Sequence, residues 1–202
     1  MTRKMNKGDA TLEPDSPEDD RFLSDEWPSD NSALIYVTID AASWHAPLVD
    51  ELKTRCPAML DNIAARLSLD PPMVSLLLCD DEGMRAMNHM YRGFDKATNV
   101  LSFPVGDDLP WASDMPVNEV TIGDIAIASE TVVREASEAG IAVGDHLLHL
   151  FTHGVLHLLG YDHDEVSTAS IMEGLEIALL AQMKIANPYC SDYLDSGIQE
   201  MG

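Results

Sequence analysis

Four histidines fall within one twelve-residue stretch of the segment Asp145-His-Leu-Leu-His-Leu-Phe-Thr-His-Gly-Val-Leu-His-Leu-Leu-Gly160. Along a helix at about 100° per residue, with His146 as zero, His149 falls at about 300°, His153 at about 340° and His157 at about 20°. The imidazoles therefore share one face. His153 and His157 are separated by about 6 Å of axial rise, near enough for both rings to meet one ion. From His146 to Tyr161 there is no Lys, Arg, Asp or Glu, and the other positions are mostly Leu, Val and Phe. Such a helix is buried nearly all round. An unpaired buried polar group costs about 1–3 kcal/mol, and a metal ion gives several imidazoles one shared partner.

A third ligand follows from how the helix ends. Gly160 lets the chain turn through a left-handed conformation, and His163, three residues later, folds back toward His157. The pattern His153-x3-His157-x2-Gly160-x2-His163 parallels the H-E-x-x-H-x-x-G-x-x-H zinc site of metzincin proteases, with Gly154 in place of the protease's general-base Glu. Without that Glu, peptide hydrolysis by the metzincin route is disfavoured. Three neutral nitrogens and an open position still describe a catalytic zinc rather than a closed structural one. His149, one turn earlier, is open to three roles: ligand, outer hydrogen-bond donor or proton carrier. His146 reads as a capping or surface residue, and His45 and His89 have no partner spacing. Asp162 and Asp164 either orient an imidazole N–H or are solvated loop carboxylates.

Several elements must hold this segment. Strand character marks Ala33–Ile39, Met73–Cys79, Val100–Phe103 and Val120–Ala128; helical patterns cover about 47–67, 129–139, 145–159 and 165–186. Asp80 is a candidate N-cap for a further helix ending near Arg92, and Gly140 and Gly160 are candidate C-terminal caps. Val105 to Asn118, rich in Gly, Asp and Pro, reads as a surface loop. The order β-α-β-α-β-β-α-α-α implies an α+β, α/β-like fold: a single mixed sheet of about four strands packed with helices, one of them the zincin-like metal-site helix.

Composition sets outer bounds. With 202 residues, 46% of them hydrophobic, the chain can bury one sizeable core but is short for two domains. Residues 1–32 are read as a flexible acidic tail, 33–186 as the catalytic domain and 187–202 as a C-terminal tail. Twelve Lys+Arg against 35 Asp+Glu give a formal net charge of -23, which opposes nonspecific binding to nucleic acid or anionic membrane. Cys56, Cys79 and Cys190 form no C-x-x-C pair, so neither a disulfide framework nor a cysteine metal site is expected. Neither a signal peptide nor an apolar run of about 18 residues is visible, so a cytoplasmic protein with no membrane partner is expected.

The stretch His153-Gly-Val-Leu-His-Leu-Leu-Gly-Tyr-Asp-His163 resembles the signature of the YbeY family of bacterial endoribonucleases. The likeness extends through Tyr91-Arg92, Asp95-Lys-Ala-Thr-Asn-Val-Leu-Ser-Phe-Pro104, Gly123-Asp-Ile125, Met172-Glu173 and Glu176. Ala97 stands where the family often has Pro, and the loop after Val105 is long. The resemblance implies a single-strand-specific, metal-dependent endoribonuclease of small-subunit ribosomal RNA end processing and ribosome quality control. It implies one divalent ion, zinc by the ligand types, held by His153, His157 and His163, with Arg92 and His153 as catalytic residues. Implied partners are single-stranded ribosomal RNA and, for recruitment of so acidic a chain, ribosomal proteins or ribosome-associated factors. A guanidinium suits phosphate because its planar donors bind two oxygens at once. Arg85, Arg92 and Lys96 together form a candidate phosphate track. Two other readings remain: a zincin-like peptidase or amidase, and a noncatalytic, metal-stabilised ribosome-assembly factor.

Overall fold

A computed structural model describes residues 21–40, 42–106 and 121–190. Along the chain the elements are β1 (Phe22–Pro28), β2 (Leu34–Asp40), α1 (Ala46–Leu67), β3 (Met73–Cys79), α2 (Asp81–Arg92), β4 (Val100–Pro104), β5 (Thr121–Ala128), α3 (Ser129–Ala139), α4 (Val143–Leu158) and α5 (Val166–Gln182). The strands form one mixed sheet in the order β1-β2-β3-β5-β4. Pairing is parallel for β2–β3 and β3–β5 and antiparallel at both edges. This is an α+β fold with a single mixed sheet, as the element order implies, but with five described strands where about four were expected.

The additional strand lies inside the acidic stretch read as a flexible tail. β1 pairs with β2 along its whole length, from Phe22↔Asp40 to Pro28↔Leu34. Charge counting hides it because one residue supplies most of its burial: Trp27 is fully buried, and an aromatic of this size removes about 150–250 Å² from water. Its indole Nε1 donates to Asp25 at 3.0 Å, and Lys53 of α1 holds the same carboxylate at 2.6 Å. Arg21 bridges Asp40 and Asp80 at the ends of β2 and β3. The order of the chain thus begins before residue 33. Residues 1–20 and 191–202, and most of the predicted loop after Val105, lie outside the described residues.

Period-two burial gives the sheet its core face. Ile35, Val37 and Ile39 of β2 and Val74, Leu76 and Leu78 of β3 point into the main core, while Tyr36, Thr38, Ser75 and Leu77 point the other way. On the core face α4 is the central helix, touching α1, α3, α5, β4 and β5. Leu147, Leu148, Phe151, Val155, Leu156 and Leu158 are all buried. The other face carries a smaller cluster under α2, built on Met84, Leu101, Ala126 and Ala128. None of the described helices is long and apolar enough to cross a membrane, and all three cysteines are free.

Gly154 lets α4 lie this close to the sheet. A Cβ there would stand 3.1 Å from Ile125 Cδ1 and 3.1 Å from Ser102 Oγ. The position that carries Glu in metzincins therefore has no room for one. Gly154→Glu is expected to destabilise by more than the about 1–3 kcal/mol of overpacking alone, because a carboxylate would be buried without a partner. Urea denaturation checks this; wild-type stability would contradict the packing argument.

Candidate metal centre

Each converging histidine is placed by local chain logic. His153 and His157 stand on α4 with the spacing that puts both rings on one face. The helix closes with Gly160 at φ 83°, Gly160 N donating to His157 O at 3.0 Å and Tyr161 N donating to Leu156 O at 3.0 Å. That is the paired hydrogen bond of a left-handed helix terminus, and it sends the chain back so that His163 faces His157. Ring centroids lie 4.5 Å apart for His153–His157, 5.0 Å for His157–His163 and 5.3 Å for His153–His163. One donor atom from each of the three lies within 4.8 Å of the others.

Protonation is arranged to match. His153 Nδ1 is 2.7 Å from Glu176 Oε1, and Glu176 is fully buried on α5. Burial alone would push this carboxyl up; the surrounding donors from His149, His153 and Tyr189 pull harder the other way and hold it at about 2. Of these His149 is the weakest, because its Nε2 lies 3.8 Å from Glu176 Oε2, too long for a hydrogen bond. An ionised Glu176 accepts the Nδ1–H of His153 and leaves Nε2 as a bare lone pair. That Nε2 lies 3.0 Å from His157 Nε2. Burial, and then the neighbouring His153 and His163, hold His157 below the ordinary imidazole range, so it is neutral at physiological pH. Three imidazole nitrogens within 4.8 Å of one another, one of them made a lone pair by Glu176, are the donor set of a divalent ion.

The remaining predicted residues sort themselves around this centre. His149 lies behind His153, its Nε2 buried without a hydrogen-bond partner among the described residues, and it is not in the converging set. His146, read as a cap or surface residue, is instead held by Glu135 of α3 at 2.8 Å. Asp162 accepts from the backbone N of His163 at 2.7 Å, which fixes the loop rather than an imidazole. His163, Asp162 and Asp164 are exposed.

Arg92 is the last residue of α2 and is exposed. Asp80 caps the start of that helix by accepting from Gly83 N at 2.7 Å, as expected, and Gly93 at φ 76° ends it. Buried Asn88 donates to Lys96 O at 2.8 Å, pinning the turn that follows. Arg92 thereby lines the same cavity, about 540 Å³, as His153, His157, His163, Asn99 and Ser102. Among the described residues no carboxylate pairs with it. Within the candidate phosphate track, Arg85 is paired with both oxygens of Asp95, at 2.6 and 2.9 Å. A larger cavity of about 1060 Å³ opens on the opposite sheet face and takes in Asp124 and Tyr91, but none of the histidines. Volume does not mark the chemistry here.

Comparison with known proteins bears on the same residues. The family model described as "Endoribonuclease YbeY" matches residues 38–184. This chain belongs to the YbeY family. The matched span contains Arg92, the three converging histidines and Glu176. Among relatives named Endoribonuclease YbeY, that of Rhodospirillum rubrum is 48% identical over 149 residues, covering 71% of this chain and 72% of its own. That of Rhizobium etli is 42% identical over 163 residues, covering 81% and 86%, and that of Rhizobium meliloti 41% over 163, covering 77% and 94%. Membership of the YbeY family agrees with the resemblance drawn from the signature. Role assignment from spacing passed over Glu176 and Tyr189. Glu176 carried a signal: it is an acid among Leu175, Ile177, Leu179 and Leu180, and a charge on an apolar helix face needs a partner.

Proposed function

We propose that the chain is a single-strand-specific, metal-dependent endoribonuclease of ribosomal RNA maturation, acting on small-subunit rRNA ends and in ribosome quality control in the cytoplasm. One divalent ion is held by His153, His157 and His163, and the all-imidazole donor set favours zinc. The observation that carries this reading is the convergence of three imidazoles in one cavity with Arg92. When bound, such an ion supplies Lewis acidity and a lowered pKa for water or hydroxyl at the phosphate. The chain's own residues do the rest. Glu176 fixes the tautomer of His153, and the guanidinium of Arg92 binds nonbridging phosphate oxygens and stabilises the charge that grows on them. The helix turn at Gly160 keeps His163 at the solvent edge, leaving a side of the set open to substrate.

The domain that carries the activity comprises residues 33–186 together with β1, whose Trp27 lies in the same core, and the turn at 187–190. With a net charge of -23, the chain gains little from long-range attraction to RNA, so ribosomal proteins or ribosome-associated factors bring it to its substrate. Metal-replete protein offered single-stranded RNA, duplex RNA and denatured casein is expected to cut the single-stranded RNA alone. Casein cleavage with intact RNA would favour a peptidase, and cleavage of none would favour a noncatalytic assembly factor.

A further inference from the structure

We propose that Tyr189 is a positioning residue for the histidine site: through Glu176 it fixes how His153 presents its Nε2, and so couples metal binding to docking of the segment after α5. The inference rests on the reading of His153 as a ligand. Tyr189 lies outside the matched family span of 38–184, in a segment whose composition reads as a tail.

The chain leaves α5 by a defined route. Lys184 takes φ 61° and Ile185 N donates to Leu180 O at 3.0 Å. The turn then closes as Asn187 Oδ1 accepts from Tyr189 N at 2.8 Å. This carries the Tyr189 hydroxyl to Glu176 Oε2, to which it donates. Its ring meets the His149 ring edge-on, with centroids 5.8 Å apart at 84°. The two oxygens of Glu176 thus have separate tasks: Oε1 accepts from His153 Nδ1 and Oε2 accepts from Tyr189. A buried carboxylate with one oxygen unsatisfied would rotate or recruit another donor. With both oxygens held, it stays a fixed acceptor for His153 Nδ1. The proton then stays on Nδ1 and the lone pair on Nε2. Outer partners of metal-binding histidines commonly contribute 10–100-fold in metal affinity.

Coupling works in both directions. Whatever fixes Glu176 strengthens the ion site, and an ion on His153 in turn fixes the orientation of the carboxylate to which Tyr189 docks. Lys184, exposed just before the turn, is a trypsin site that reports on that docking.

The test measures zinc affinity of the full chain by competition with a chromogenic chelator. Tyr189→Phe keeps the ring and removes only the hydroxyl, and is expected to weaken zinc binding about 10–100-fold. Glu176→Gln should weaken it at least as much, and the double variant no more than Glu176→Gln alone, because Tyr189 acts through Glu176. Wild-type affinity in Tyr189→Phe, or additive losses in the double variant, would overturn the proposal. A merely structural tyrosine would lower the melting temperature of the metal-free protein and leave zinc affinity unchanged, which also overturns it. Independently of any variant's folding, zinc should slow trypsin cleavage after Lys184 in the wild-type chain, and equal rates with and without zinc would count against the coupling. His153→Ala separates the two levels: stoichiometric zinc in that variant sinks the ligand reading itself. Loss of zinc there with normal affinity in Tyr189→Phe sinks only the coupling.

Discussion

His157→Ala is expected to yield a folded protein that retains no stoichiometric metal and does not cleave RNA. The other two imidazoles remain, but His157 holds the middle of the set, with rings 4.5 Å and 5.0 Å from those of His153 and His163. Losing a direct ligand should exceed the 10–100-fold affinity loss typical of an outer partner. Folding should survive, because Leu148, Phe151, Val155 and Leu156 carry the packing of α4 and the imidazole at 157 is only partly buried. Elemental analysis with thermal melting of the metal-free proteins measures both points. The same histidine sets the sign of the pH response. Its ionisation lies below the ordinary imidazole range, first because of burial, so its lone pair is available at neutral pH and is lost as pH falls. Metal release from the wild-type chain on acidification should therefore begin at lower pH than an unperturbed imidazole would give.

Arg92→Ala is expected to keep metal and fold while losing about 10²–10³-fold in single-turnover rate, the effect of removing one preorganised donor to a developing oxyanion. Exposure at the end of α2, with no carboxylate partner among the described residues, means that little stability rests on it. Arg92→Lys should recover only part of the rate, since an ammonium keeps the charge but loses the two-pronged contact. Arg85→Ala is the matched control. Its guanidinium is already held by Asp95, so the rate should stay near wild type. Cleavage at the wild-type rate by Arg92→Ala would remove this residue from the mechanism.

The residues that positioned this site were unevenly legible in the sequence. β-branched and leucine runs marked Leu34–Asp40 and Met73–Cys79, and the histidine stripe identified α4, because period and burial act there on the same residues. β1 was hidden by its acids. Only Trp27 of that strand is buried, so its order comes from pairing with β2 and from ion pairs with Lys53 of α1, Asp40 at the end of β2 and Asp80 just after β3, none of which leaves a local pattern. The helix expected to run to residue 186 ends at Gln182, and the turn beyond it returns Tyr189 to Glu176 across thirteen residues. That contact depends on a left-handed Lys184, a conformation its residue type does not announce. The pairing of Arg85 was hidden for a related reason: whether a cation is free depends on its neighbours in space, and Asp95 reaches Arg85 from across the turn after α2.

The central claim is that an ion held by His153, His157 and His163 is required for RNA cleavage. The direct measurement strips the protein with chelator, verifies the loss by elemental analysis, and follows cleavage of a single-stranded ribosomal RNA precursor as zinc is titrated back. Activity is expected to be absent in the stripped protein and to rise to a plateau at one equivalent per chain, with His153→Ala and His157→Ala flat throughout. Full cleavage by verified metal-free protein, or a plateau reached equally well by the histidine variants, would contradict it.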